Sequence, residues 1–185
     1  RDGLVTGVQT CALPISDIDL ARTDAVTSNA EKALLQVKVN ALASDPKRNT
    51  DPIVGRLHVR LGGLYLATRD YEPALFLFNR VARGEVPASR QDRVKAMMRI
   101  AWIRHAQRQH AEAYLMYATI NTQSRSALIK AKTRLEQTGI LLEKALSAKG
   151  SLSEVRWFID AVLVPSVPDP TDTDYREILA TAYLM

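Results

Sequence analysis

Apolar positions recur at helical spacing through the middle of the chain. Leu57, Leu61, Leu64 and Tyr65 fall on one stripe and Leu75, Phe78 and Ala82 on another, which predicts two helices with one apolar face each. Between them Asp70 is placed to cap a helix opening at Tyr71, with Glu72 and Pro73 tolerated in its first turn. The product is a helical hairpin. Gly62 and Gly63 fall in mid-helix, where each costs about 1 kcal/mol relative to Ala; their expected role is to let a neighbouring helix come close. Ser28-x2-Glu31 and Ser151-x2-Glu154 read as capping boxes that open further helices, and Gly150 as the stop of the helix before Ser151.

A longer period lies over these elements. Ala33, Ala74, Ala113 and Ser151 are separated by 41, 39 and 38 residues, and are expected where paired helices touch. The clearest copy is His58-x2-Leu61-Gly62-x2-Tyr65 followed by Ala74-x3-Phe78 and Pro87. Met97-x2-Ile100-Ala101 with Ala113-x3-Tyr117 repeats its frame, although Arg104 replaces the aromatic. Thr138-Gly139-x2-Leu142 with Ser151-x3-Val155 and Pro165 is a weaker third, and Ala33-x3-Val37 with Pro46 the second half of an earlier one. The pattern resembles the tetratricopeptide repeat, W-x2-L-G-x2-Y, A-x3-F, P, with His in place of Trp.

That resemblance implies an all-α fold, an α-solenoid of antiparallel helix pairs with a period of about 38–41 residues and a concave surface. Residues 16–164 are expected to hold a broken first repeat and three helix pairs, with linkers at Ala82 to Gln91 and Asn121 to Ser126. Residues 165–171 read as a Pro-rich linker, and 172–185 as the truncated first helix of a further repeat. Val5 to Ile15, VTGVQTCALPI, resembles the in-frame translation of a short-read sequencing adapter joined to a metagenomic reading frame. On that reading residues 1–15 are an artefact, the natural chain starts near Ser16 as a fragment cut at both ends, and the one cysteine, Cys11, goes with the adapter.

Composition agrees with a helical domain. Hydrophobic side chains make up 46% and charged ones 24%, too apolar for an unfolded chain, while 8 Gly and 8 Pro are too few for a turn-rich β sandwich. Lys and Arg number 25 against 20 Asp and Glu, a net of +5 that leans toward acidic partners. Without Cys11 the chain offers no disulfide or cysteine nucleophile, which leaves the redox compartment open. No run reaches the roughly 18 apolar residues of a membrane-spanning helix.

Chemistry for an enzyme is missing. There is no Gly-rich phosphate loop, no G-x-S-x-G and no H-E-x-x-H. Imidazoles occur only at His58, His105 and His110, and the last two are five apart, one at a helix end and one in the turn after it, so no metal or cofactor is expected.

In tetratricopeptide proteins the first helix of each pair lines the groove. Carried over by register, the resemblance implies a groove of Arg56, Val59, Arg60 and Gly63 from the first copy and Lys95, Met98, Arg99, Trp102 and His105 from the next. Four cations around one Trp suit an acidic or extended peptide, held by charge-assisted hydrogen bonds with Trp102 as an apolar anchor. Lys95 and Arg99 resemble half of the carboxylate clamp of chaperone-binding tetratricopeptide domains, but Val59, Arg60 and Gly63 stand where that clamp uses Lys and Asn. The plainer alternative makes Lys95 and Arg99 solvated charges and Trp102 core. Arg104, close to an apolar stripe, is expected to pair with Glu112, and Trp157 and Phe158 to be core.

The leading function is a non-enzymatic protein-interaction scaffold, with self-association through exposed solenoid ends a further expectation. Nucleic-acid binding is the second class, motivated by Arg90, Arg93, Lys95, Arg99, Arg104 and Arg108 against the single acid Asp92. A regulatory or assembly segment of a larger enzyme or secretion machine is the third.

Overall fold

Helix follows helix with short turns between. The computed structural model describes residues 25–184 apart from 46, 48 and 149, and the adapter-like segment lies outside them. Eight α-helices and no strand occur among the described residues: α1 (Ala25–Ser44), α2 (Ile53–Ala67), α3 (Tyr71–Ala82), α4 (Arg90–Ala106), α5 (His110–Gln123), α6 (Ala127–Ser147), α7 (Ser153–Phe158) and α8 (Thr173–Leu184). A π turn at Ile159–Leu163 and a 3-10 turn at Val164–Ser166 prolong α7. Both expected linkers are present, as residues 83–89 and 124–126.

The helix ends explain the turns. The backbone at Arg69 (φ 60°) and Arg108 (φ 64°) is left-handed, as it is at Gly84 (φ 75°). In each case the following N–H reaches back five residues: Asp70 to the Tyr65 carbonyl, Glu85 to Arg80 and Gln109 to Arg104, all at 2.9 Å. This ending satisfies carbonyls the helix leaves unpaired and turns the chain back sharply. At the end of α6 the Gly150 N–H likewise reaches back five residues, to the Ala145 carbonyl at 2.9 Å. Ser89 and Ser126 cap α4 and α6 by accepting the N–H groups of Asp92 and Ile129.

Hairpin α2/α3 recurs 39 residues later as α4/α5. Arg69 and Arg108 hold the same place in two three-residue turns. Leu61, Ala74, Phe78 and Val81 are buried in the first hairpin, and Ile100, Ala113, Tyr117 and Ile120 at the matching positions of the second. Gly62 is a packing residue, because a Cβ there would stand 2.7 Å from Cε1 of Phe78.

Packing is sequential. Among the described residues the substantial contacts all join helices adjacent or next but one in the chain, including α2 with α4 and α6 with α8. The four apolar clusters each span consecutive elements: α1 to α3 around Leu35 and Leu61, α2 to α4 around Phe78, α4 to α6 around Tyr117, and α6 to α8 around Leu163.

Several expectations need correction. Ala33 and Val37 are exposed, and α1 instead buries Lys32, Leu35 and Val39, so its register is set by the face that meets α2. Ser151 is also exposed, leaving Ala74 and Ala113 as the buried pair of the small-residue period. Ser28 lies within α1, which starts at Ala25. Asp70 does not cap α3; its carboxylate accepts from the Thr68 hydroxyl at 2.7 Å and from Lys32 Nζ at 3.3 Å. Ser151 accepts the N–H of Ser153 at 3.1 Å, and α7 opens there without the expected box. Phe158 is buried as expected, but Trp157 is 61% exposed.

Candidate functional site

The repeat frame places the cations of α2 and α4 in matching positions. Arg56 corresponds to Lys95 and Arg60 to Arg99, each pair 39 residues apart on helices that touch. Within each helix the two cations are four residues apart and so share a face. Arg56 and Lys95 are exposed, and neither side chain makes an ion pair or hydrogen bond among the described residues. Arg60 is mostly exposed and its guanidinium donates to Glu31 of α1, through Nε at 3.0 Å. Arg99 is half-buried near Tyr117, whose phenol pKa is pushed up by burial and by Glu136 and drawn down by Arg99.

The apolar residues expected in the groove sit deeper. Val59 and Trp102 are half-buried against the α2–α4 cluster, Met98 is half-buried against the α4–α6 cluster, and Gly63 is buried. Trp102 is thus shared between core and surface, closer to the plainer alternative than to a free anchor. Arg104 forms its expected pair, Nε to Glu112 Oε2 at 3.6 Å, and adds a hydrogen bond to Gln109 Oε1 at 2.7 Å.

His105 turns away from this face toward α6. Its Nε2 lies 3.3 Å from Glu143 Oε1, while His110 Nε2 and Arg108 Nη1 lie 3.8 and 3.3 Å from Glu143 Oε2. The two imidazole rings meet edge to face with centroids 5.4 Å apart. Yet His105 Nε2 and His110 Nδ1 are buried without a hydrogen-bond partner, so the His105–Glu143 approach is close but misaligned. Burial lowers the His105 pKa; Glu143 raises it, and His110 and Arg108 lower it. Spacing alone missed this cluster for two reasons. His110 is the first residue of α5 and not part of the turn, and the third member comes from a helix that begins 17 residues beyond it.

His58 is fully buried and has a structural role. Its Nδ1–H donates to the Val54 carbonyl at 2.8 Å, which leaves the Nε2 lone pair facing Arg80 Nη1 at 3.3 Å. No family model, curated protein or solved structure matches the chain. Concavities occur elsewhere among the described residues. One of about 620 Å³ between α6, α7 and α8 is lined by Leu142, Leu152, Val155, Ile159 and Tyr183. Another of about 290 Å³, at the starts of α4 and α6, is flanked by Arg90 and Arg125. Neither includes a residue of the predicted groove.

Proposed function

We propose that the chain is a non-enzymatic, tetratricopeptide-like α-solenoid segment that binds an acidic, extended protein segment across the shared face of α2 and α4. The observation that carries this reading is the recurrence of two cations, Arg56 with Arg60 and Lys95 with Arg99, at one repeat position on two helices in contact. The recurring hairpin and its sequential packing support the solenoid. Arg56 and Lys95 are the primary ligand contacts, Arg60 can exchange Glu31 for a ligand carboxylate, and the edge of Trp102 supplies apolar surface. Exposed ion pairs contribute about 0.2–1 kcal/mol each, so the complex is weak unless the partner carries several carboxylates or an apolar anchor. Nucleic acid is the poorer ligand, because Arg90 donates to the Gln123 carbonyl, Arg104 to Gln109 and Arg108 to Glu143.

Fluorescence anisotropy with a labelled Glu-rich peptide, beside a single-stranded oligonucleotide of equal charge, tests the reading. Arg56→Glu with Lys95→Glu, both on exposed positions, is expected to weaken peptide binding by about tenfold or more while helicity is retained. Peptide affinity unchanged by the double reversal, or oligonucleotide binding tighter than peptide binding, would count against it.

A further inference from the structure

Two imidazoles and a carboxylate from three helices converge beside the turn of the second hairpin. His105 lies in the last turn of α4, His110 opens α5, and Glu143 stands near the end of α6. One donor atom from each lies within 4.8 Å of the other two. Tetrahedral Zn²⁺ with bonds of ~2.1 Å holds its ligand atoms roughly 3.4 Å apart. The separations of 3.3 Å from His105 Nε2 and 3.8 Å from His110 Nε2 to the Glu143 oxygens are already close to that.

We propose that His105, His110 and Glu143 bind a divalent transition-metal ion, Zn²⁺ foremost, which ties α4, α5 and α6 together at this corner. Two features favour an ion over a simple charge cluster. A buried ring nitrogen with no hydrogen-bond partner has a lone pair or proton in an environment that satisfies neither, and here His105 Nε2 and His110 Nδ1 are both in that condition. A metal ion would use the His105 Nε2 lone pair directly, and with His110 bound through Nε2 its Nδ1 would carry the proton. The donor set also selects the ion: two imidazole nitrogens with one carboxylate suit Zn²⁺, Co²⁺ or Ni²⁺, whereas Mg²⁺ and Ca²⁺ prefer oxygen alone.

Arg108 is the competitor. Its guanidinium now lies 3.3 Å from Glu143, but its side chain is 78% exposed and can swing into water when an ion takes the carboxylate. Three protein ligands leave a fourth position for water or for a side chain of a partner. The site is separate from the peptide-binding face, because neither Arg56 nor Lys95 takes part in it.

Zn²⁺ titration of the full chain, metal-stripped, carrying Cys11→Ser and no histidine tag, tests the site by calorimetry and thermal denaturation. The expected result is one ion per chain at micromolar affinity or better, a higher Tm, and a tetrahedral visible spectrum with Co²⁺. His110→Ala and Glu143→Gln should each weaken binding by about tenfold or more, as should His105→Ala if it folds, while Arg108→Gln should bind as tightly or more tightly. Absence of uptake at micromolar Zn²⁺, or affinity within about twofold of the parent chain in both His110→Ala and Glu143→Gln, would overturn the assignment.

Discussion

Hairpins α2/α3 and α4/α5 share a backbone but send their polar groups in opposite directions. At the first turn, Thr68 and Asp70 receive Lys32 from the preceding helix, at 2.6 and 3.3 Å, and the ammonium also lies 4.9 Å from the centre of the Tyr65 ring. The Thr68 hydroxyl, with Lys32 second, holds the Asp70 carboxyl below the usual range. At the second turn, His105, Arg108 and His110 reach forward to Glu143 of the following helix. Buried apolar positions and the left-handed Arg thus repeat, while the charged groups beside them are free to diverge. The buried frame recurs, and the charged groups at the two turns do not.

The sharpest way to break the equivalence is at the helix contact inside each hairpin. Gly62 and Ala101 are matched positions, yet Gly62 faces Phe78 with no room for a methyl group, whereas Ala101 already carries one in the Tyr117 cluster. Gly62→Ala should therefore destabilise by about 1–3 kcal/mol through overpacking, against a helix-propensity gain of about 1 kcal/mol. Adding Phe78→Leu should recover part of that loss in a double-mutant cycle by urea denaturation. A stabilised Gly62→Ala chain would mean that α2 and α3 pack less closely than described.

A smaller effect should follow from pH. Burial lowers the His58 pKa from its ordinary 6.5, the Val54 hydrogen bond partly restores it, and Arg80 lowers it further. The folded chain therefore holds this imidazole neutral where the unfolded chain takes up a proton. Its contribution is fully present above about pH 6.5 and is lost as pH falls below that value toward the lowered one. His105 shifts in the same direction. Tm should drop between pH 7.5 and 5.5, and His58→Gln should flatten that dependence; an equally steep profile in His58→Gln would assign the proton uptake to other groups.

Least of all, Arg69→Gly should stabilise by up to about 1 kcal/mol, because a left-handed backbone costs a side-chain-bearing residue roughly 1–2 kcal/mol, partly offset by the greater freedom of glycine when unfolded. The same change at Arg108 should gain less, since it also removes the Glu143 pair. Equal changes in chemical-denaturation midpoint at both sites would show that this pair contributes nothing.

Much of the architecture could be read from residue order. The period from Ala74 to Ala113, the stripes of α2 and α3 and the two linkers all depend on local spacing, and local spacing survives folding. The register of α1 does not, because choosing Leu35 and Val39 over Ala33 and Val37 depends on the surface α2 offers. The cations at Arg56, Arg60, Lys95 and Arg99 were visible as turn-spaced pairs repeated with the period. Glu143 was not, since its approach to His105 and His110 is fixed by how α6 lies against α4 and α5 and leaves no trace in sequence distance.

The sequential packing also bears on how the chain acquires its shape during synthesis. With elongation at about 5–20 residues per second, the roughly 40 residues of one repeat emerge in about 2–8 seconds. Among the described residues, every substantial interface joins helices no more than two places apart. A nascent chain can therefore close each of these layers on the one before it.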